Sequence, residues 1–293
     1  MEFIDHLNGV RELVSKGGPN TKDYQKIIIA CQNLRDKGLS LSEESELYNT
    51  IEPLLNINSM IGFSYVKPHG YAGDYELIDR IYQEWKSPKH DDFHLWDNFY
   101  HNLAAARAVR NRKKYFLNLL SQLQIEKEVS LVLNLGSGPC SDLHEFLRKA
   151  PTSKIHFDCL DMDSKAIDFA SAICDNYIDS ITFINKNAFR YKPDYKYDFI
   201  WSAGLFDYFS DKLFVRLLNR IYNLVLDEGV MVIGNFSNNN PSRGVMEIFG
   251  QWYLHHRSKK KLIELAKKAG IMDSKITVFS EETGVNLFLH LEK

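Results

Sequence analysis

The sequence predicts an α/β protein in which a mostly parallel sheet, with helices on both faces, follows an all-helical domain. Up to about residue 128, apolar side chains recur at helical spacing. Beyond it, short apolar strands alternate with helical stretches, which is the pattern of a parallel sheet. A tight EETG turn separates the last two strands, so the last strand should be antiparallel. We therefore expect a helical domain at residues 1–124 and a sheet domain at residues 125–293.

The amino-terminal helices are predicted from their periodicity and from the breaks between them. Amphipathic stretches cover residues 24–35, 43–55, 74–85 and 93–120. Four prolines punctuate these stretches, as helix breakers do: Pro19, Pro53, Pro68 and Pro88. The apolar residues do not alternate with a period of two, so no strand is predicted before residue 128.

The carboxyl-terminal half is predicted as alternating strands and helices. The predicted strands cover residues 129–135, 154–160, 181–184, 197–202, 229–235, 275–279 and 285–290. The predicted helices cover residues 142–149, 164–175 and 211–226, with further helical stretches to about residue 269. This order predicts parallel pairing in all but the last strand.

Composition excludes several function classes. The formal net charge is −2, which argues against a protein that acts mainly by gripping nucleic acid. Apolar stretches fall short of the ~20 residues of a membrane span. The four cysteines lack CxxC spacing and indicate free thiols, so we expect a cytoplasmic protein. His90 and His94 stand four residues apart but lack the Glu of HExxH, and no metal site is predicted.

A glycine-rich turn follows the first predicted strand. Gly136 and Gly138 let the backbone turn sharply and approach a ligand closely, and the next helix points its N–H groups at the same place. Asp161 ends the second predicted strand, where an acid can accept both hydroxyls of a ribose. These features predict a nucleotide-type site at the carboxyl ends of the first two strands.

The same turn argues against a dinucleotide. Ser141 stands where a dinucleotide fingerprint needs its third glycine, which lets helix and strand pack around a pyrophosphate. The antiparallel end of the predicted sheet also differs from the second half of a dinucleotide fold. Both observations favour S-adenosylmethionine, which has a ribose and an adenine but no phosphates.

The motifs resemble those of a known enzyme class. LNLGSGPCSD is similar to motif I of the class I S-adenosylmethionine-dependent methyltransferases, and the acid of CLDMD resembles their ribose-binding acid. The resemblance covers residues 129–293 and implies a Rossmann-like sheet. It implies that the loop after the first strand lines the methionine part, that Asp161 holds the ribose, and that the segments after the third and fourth strands face the adenine and the reactive methyl. The implied cofactor-binding residues are Gly136, Ser137, Gly138, Asp161, Met162, Asn187, Ala188, Ser202, Ala203 and Gly204.

A narrower resemblance concerns the acceptor. KPHGYAGDYELIDRIY, SAGLFDYFSD, GNFSNNNPSR, WYLHHR and TGVNLFL resemble a bacterial methyltransferase subfamily with a helical amino-terminal domain, associated with making the methyl ester of 3-hydroxypalmitate. The resemblance implies a small-molecule acceptor, with a fatty or other small acid first. We expect the helical domain to cover the cofactor and to form much of the acceptor pocket. Aromatic residues, 13% of the chain, are available to line an apolar pocket.

Several further residues are candidates for acceptor or cofactor contacts. Tyr71 lies in a predicted lid, where Asp74 could equally cap a helix. Arg107 could reach the cofactor carboxylate bidentately, whereas Arg112 is predicted to lie on a solvated basic face. The predicted catalytic residues are Tyr71, Asp207, Tyr208 and Arg243. Their structural alternatives are a helix cap, a core tyrosine and a loop salt bridge. Arg243 is the first candidate for placing an acceptor carboxylate, and Asn235 and Asn240 could offer amide donors. Tyr253 and Arg257 are weaker candidates of the same kind.

Several function classes stay open. An N-methyltransferase of a small amine or amino acid would share the fold. An RNA or protein methyltransferase is disfavoured, because the Asn-Pro-Pro-aromatic block common after the fourth strand in many such enzymes is absent here. A non-enzymatic cofactor-binding module is a further alternative, and a dehydrogenase is the least favoured. The oligomeric state is not predicted.

Overall fold

A computed structural model describes residues 2–88, 90–126 and 130–293. The chain divides into two compact units. The first contains Met1–Arg107 and Asn240–Tyr253, and the second contains Ala108–Asn239 and Leu254–Lys293. The division therefore falls at other positions than the expected one between residues 124 and 125. The segment Asn240–Tyr253 leaves the sheet unit and packs with the amino-terminal helices.

The helices are α1 (Glu2–Ser15), α2 (Tyr24–Lys37), α3 (Leu41–Ile51), α4 (Met60–Val66), α5 (Tyr75–Tyr82), α6 (His94–Asn102), α7 (Ala104–Glu126), α8 (Ser141–Lys149), α9 (Ser164–Ile173), α10 (Asp211–Tyr222), α11 (Arg243–Ile248) and α12 (Lys259–Lys268). The strands are β1 (Ser130–Leu135), β2 (Ile155–Asp161), β3 (Ile181–Asn185), β4 (Tyr197–Ser202), β5 (Val225–Phe236), β6 (Ile276–Ser280) and β7 (Asn286–Glu292). Val129, the predicted first residue of the first strand, lies outside the described residues.

The second unit is built on one sheet of seven strands in the order β3-β2-β1-β4-β5-β7-β6. Strands β1 to β5 pair in parallel, and β7 pairs antiparallel with both β5 and β6. The predicted mostly parallel, Rossmann-like sheet with an antiparallel last strand is confirmed. Because the chain leaves β1 toward β2 on one side and later returns to β4 on the other, the strand order reverses between β1 and β4.

Both faces of this sheet are covered by helices. Leu133 and Leu135 of β1 belong to a buried cluster that includes residues of α10 and α12. Val132 belongs to a second cluster, on the other face, with residues of α7 and α8. Successive residues of one strand thus enter opposite cores, which explains why the strands are nearly continuous apolar runs rather than alternating ones.

The first unit is helical, and close approaches hold its helices together. Gly244 of α11 lies so near α2 that an added Cβ would stand 2.5 Å from the backbone nitrogen of Gln32. In the same region Glu247 accepts from Arg35 Nε and from Arg243 Nε, each at 2.6 Å. Helix α11 therefore packs against α2, although more than 200 residues separate them in sequence.

The structure differs from the predicted elements at a few boundaries. The predicted helix over residues 93–120 is two helices, because Leu103 has an extended ψ of 139° between α6 and α7. Helix α1 was not predicted. Helix α10 ends at Tyr222, four residues before the predicted end at 226, and β5 begins at Val225 rather than at residue 229. Of the described helices, none has a stretch long and apolar enough to cross a bilayer.

Candidate functional site

The candidate site lies in the second unit, at the carboxyl ends of β1, β2 and β4. The strand order reverses between β1 and β4, and open α/β sheets bind ligands at such a reversal. The loops that follow these strands begin at Gly136, Met162 and Ala203. Most of the predicted cofactor-binding residues are therefore brought to one edge of the sheet.

The glycine loop after β1 has a backbone that favours glycine. Gly136 and Gly138 have φ values of 68° and 56°, in the left-handed region. The N–H groups of Gly136 and Ser137 both donate to the carbonyl of Leu160 on β2, at 2.8 and 3.1 Å. An added Cβ at Gly136 would lie 3.0 Å from Leu205 Cβ. The loop is thus held against β2, with its shape fixed by two glycines.

Asp161 joins this loop to the end of β2. Its Oδ2 accepts from the N–H of Gly138 at 2.9 Å, and its Oδ1 accepts from the N–H of Asp163 at 3.0 Å. Burial raises the pKa of the Asp161 carboxyl, although the two N–H groups oppose the rise. Each oxygen keeps a lone pair that a ribose hydroxyl can donate to. The carboxylate is therefore fixed in position and has acceptor capacity left for a diol.

Two buried polar atoms near the loop test whether a polar cofactor fits. Ser137 is 7% exposed and Asn134, at the end of β1, is 3% exposed. Within the described part of the chain, Ser137 Oγ and Asn134 Nδ2 make no hydrogen bond. Buried polar atoms without partners are costly, and a bound polar group can supply the partners. The residues at this edge therefore fit the amino-acid part of S-adenosylmethionine.

The predicted adenine-binding residues follow β2 and β3. Met162 is 69% exposed, an unusual position for a large apolar side chain next to a buried acid. Ala188 is buried, and the side-chain oxygen of Asn187 accepts from the N–H of Phe189 at 2.9 Å. An exposed apolar side chain and a rigid short turn suit a flat aromatic ring.

The segment after β4 contacts a buried arginine. Ser202 is buried and donates its hydroxyl to the carbonyl of Leu135 at 2.9 Å, so it joins the ends of β4 and β1 rather than presenting its side chain. Arg112 Nη1 donates to the carbonyl of Ala203 at 3.5 Å. Arg112 is 5% exposed, so the prediction that it lies on a solvated face is wrong. The prediction rested on helical periodicity, which does not show that a polar residue of a helix will be buried against the end of a strand.

Asp207 is buried in the short helical turn that follows. Its Oδ1 accepts from the N–H of Phe236 at 2.7 Å, and its carbonyl accepts from the N–H of His255 at 2.8 Å. Burial raises the pKa of Asp207 to about 7, and the N–H of Phe236 and the positive charges of Arg112 and Arg257 lessen the rise. Tyr208, the next residue, is partly exposed. The turn thus combines a buried acid with an accessible tyrosine.

The raised pKa of Asp207 predicts a pH dependence of stability. Between about pH 4 and about pH 7 the folded protein holds a proton that the unfolded chain has released, so the free energy of unfolding falls as pH rises through this window. Asp207→Asn cannot ionise at this position, so its free energy of unfolding lacks this decrease. We therefore expect the variant to become progressively more stable relative to wild type from about pH 4 to about pH 7, and the difference to stay constant above pH 7. Urea unfolding of both proteins at a series of pH values measures this. A wild-type-minus-variant difference independent of pH would contradict the assigned pKa.

Two further acceptor candidates, Asn235 and Arg257, contact each other inside the second unit. Arg257 donates from Nη1 to Asn235 Oδ1 at 2.8 Å and to the carbonyl of Phe206 at 3.3 Å, and from Nη2 to the carbonyl of Phe209 at 2.5 Å. Its Nε pairs with Asp211 Oδ1 at 3.1 Å. Arg257 therefore fixes both ends of the turn that carries Asp207 and Tyr208.

The remaining predicted residues belong to the first unit. Tyr71 is partly exposed in the turn before α5, whose first turn Asp74 caps by accepting from the N–H of Leu77 at 2.8 Å. Arg107 is exposed on α7. Arg243 pairs with Glu247. Their roles in binding acceptor or cofactor stay predictions. Across the described residues, no three His, Cys, Asp or Glu side chains converge as metal ligands.

Comparison with known proteins agrees with this geometry. Residues 132–229 match the family described as "Methyltransferase domain". A malonyl-(acyl-carrier protein) O-methyltransferase 1 from Ilyobacter polytropus is 29% identical over 107 residues, which are 36% of this chain and 38% of that protein. The match thus spans well under half of the curated relative.

Solved structures share the fold at low sequence identity. A protein described as a possible exported protein from Bordetella parapertussis is 15% identical, with a TM-score of 0.65, and the match covers 100% of this chain and 95% of that one. Magnesium protoporphyrin IX methyltransferase from Synechocystis PCC 6803, with bound SAH, is 12% identical, with a TM-score of 0.51 over 64% of this chain and 86% of that one. Together with the glycine loop and Asp161, these similarities identify a methyltransferase domain at residues 132–229, with S-adenosylmethionine as its cofactor.

Proposed function

We propose that the protein transfers the methyl group of S-adenosylmethionine to a carboxylate oxygen of a small acid, fatty or other, and so makes a methyl ester. The observation that carries this proposal is the similarity of 107 residues of the chain to a malonyl-(acyl-carrier protein) O-methyltransferase. The free end of a malonyl thioester is a carboxylate. The buried guanidinium of Arg112 beside the segment after β4 adds support, since a carboxylate acceptor needs a cationic donor to place it.

The residues of the site account for what this reaction requires of the protein. When bound, the cofactor supplies a methyl group on a positively charged sulfur. Asp161 would hold its ribose, and the loop of Gly136 to Gly138 would hold its methionine part. A carboxylate is nucleophilic without losing a proton, so the protein has only to align it with the methyl and to exclude water. Ser202 and Arg257 keep the adjoining segments in place through their hydrogen bonds.

A second candidate is N-methylation of a small amine. One observation favours it: the pKa of Asp207, raised to about 7 by burial, lies where a general base is effective at neutral pH. An amine must be neutral to attack, so a base near the methyl would help. Against this, Asp207 Oδ1 already accepts from the N–H of Phe236.

Acceptors matched in length separate the two candidates. The purified chain is incubated with S-adenosylmethionine and either hexadecanoic acid or hexadecylamine, and with shorter acids and amines, and products are identified by mass spectrometry. We expect methyl esters from at least one acid and no methylated amine. Methylamine products without esters would contradict the proposal and favour N-methylation. Asp161→Ala, which should lose the cofactor, serves as the control for background methylation.

A further inference from the structure

The guanidinium of Arg112 is buried against the backbone of Gly204, which has no side chain. An added Cβ at Gly204 would stand 2.9 Å from Arg112 Nη1 and 3.5 Å from both Cζ and Nη2. The guanidinium group therefore lies over Gly204, next to the carbonyl of Ala203. Any larger residue at position 204 would displace the guanidinium from this position.

Helix α7 delivers the guanidinium to the carboxyl end of β4. Phe116, one helical turn after Arg112, stacks on Trp201 of β4 with the ring centroids 4.8 Å apart. Trp201 is the next-to-last residue of β4, and Arg112 reaches the two residues that follow the strand. The stacked pair thus sets the depth of Arg112 along the strand.

Two buried carboxyls lie near enough to Arg112 for its charge to act on them. Its positive charge lowers the pKa of two buried carboxyls, Asp142 and Asp207, but burial raises the pKa of each by more. Near neutral pH, Asp207 is therefore only partly ionised. Asn134, which pairs with Trp201 across β1 and β4, and Ser137, in the loop after β1, have buried polar atoms without hydrogen-bond partners in the described chain. The guanidinium of Arg112 is thus buried at the same edge of the sheet as these two polar atoms, and a guanidinium binds a carboxylate through its planar fork.

We propose that Arg112 binds a carboxylate group at the carboxyl end of β4. Two molecules carry such a group: the cofactor, on its methionine part, and the acceptor of the proposed reaction. The second source rests on the proposed function, whereas the first requires only cofactor binding. In the first case Arg112 has the role predicted for Arg107, which is to bind the cofactor carboxylate. In the second case it has the role predicted for Arg243, which is to bind the acceptor.

Binding measurements distinguish the two sources. Dissociation constants are measured by calorimetry for S-adenosylhomocysteine and for 5′-methylthioadenosine, which lacks the amino-acid carboxylate, on wild type and Arg112→Gln. Hexadecanoic acid is then titrated onto each protein saturated with S-adenosylhomocysteine. If Arg112 binds the cofactor, the variant loses S-adenosylhomocysteine affinity at least ~10-fold and keeps 5′-methylthioadenosine affinity within about twofold. If it binds the acceptor, only hexadecanoate affinity falls by a comparable factor.

Two further variants guard against a general loss of structure. Gly204→Ala keeps the charge but displaces the flexible guanidinium, so it should reproduce the carboxylate-specific loss in weaker form. Lys113→Gln removes the neighbouring charge, which pairs with Glu145 at 2.8 Å, and should leave all three affinities unchanged.

Equal losses for S-adenosylhomocysteine and 5′-methylthioadenosine in Arg112→Gln, or no loss of any affinity, would overturn the proposal. Failure to make a methyl ester while the cofactor arm succeeds would overturn the proposed function alone.

Discussion

Asp161→Ala is expected to bind S-adenosylhomocysteine about 100-fold more weakly than wild type. Two hydrogen bonds from ribose hydroxyls to a carboxylate, together worth about 3 kcal/mol, would be lost. The same change removes the acceptors for the N–H groups of Gly138 and Asp163, so the glycine loop also loses its connection to the end of β2. Calorimetric titration of the purified protein measures the affinity.

Asp163→Ala is the matched control, because it removes a carboxylate two residues away on the same segment. Asp163 caps α9 by accepting from the N–H of Lys165 at 3.0 Å, so its loss should lower stability by about 1 kcal/mol and leave cofactor affinity unchanged. Equal affinity of Asp161→Ala and wild type would refute the ribose assignment. Equal weakening by both substitutions would indicate a damaged loop rather than lost ribose contacts.

Arg257→Met is expected to destabilise the second unit by about 3 kcal/mol, because it leaves buried acceptors without their donor. The acceptors are Asn235 Oδ1 and the carbonyls of Phe206 and Phe209. We expect amide hydrogen exchange to rise first in the turn from Phe206 to Tyr208 and at the end of β5. Exchange measured by mass spectrometry on peptides of these segments checks the prediction.

Lys261→Gln is the corresponding control for Arg257. Lys261 pairs with Asp211 Oδ2 at 2.9 Å, on the same carboxylate that Arg257 contacts, but its side chain is 35% exposed and its other ion pair is with Glu264 of α12. We expect no change in exchange of the turn in this variant. An Arg257→Met protein with wild-type exchange in the turn would show that the carbonyls do not depend on the guanidinium.

The sequence predicted the sheet better than the helical unit. Strand β4 was predicted with its observed bounds, Tyr197–Ser202, because both faces of a central parallel strand are buried and its apolar run is uninterrupted. The extra residues of β5 from Val225 to Glu228 were missed, since three of these four side chains are exposed and mostly polar. The segment Asn240–Tyr253 was not predicted to join the amino-terminal helices, because local spacing says nothing about partners 200 residues away.

The candidate site was predictable where a residue's role follows from its own backbone. Gly136 and Gly138 need left-handed φ values, and this requirement is visible as a glycine pattern. Arg112 was wrongly predicted to lie on a solvated face, because Gly204, a residue distant in sequence, makes room for it. The contacts of Arg257 with the carbonyls of the turn could not be predicted for the same reason, since the turn is distant in sequence. Both arginines are buried, and the sequence alone does not show which basic residues will be buried.

The most direct test of the central claim is to follow a radiolabelled methyl group from S-adenosylmethionine into fractionated bacterial extract, with the purified protein added, and then to treat the products with alkali. The proposed ester formation predicts label in the organic fraction that alkali releases as volatile methanol. Label that stays with a small polar product after alkali treatment would contradict it and identify an amine acceptor.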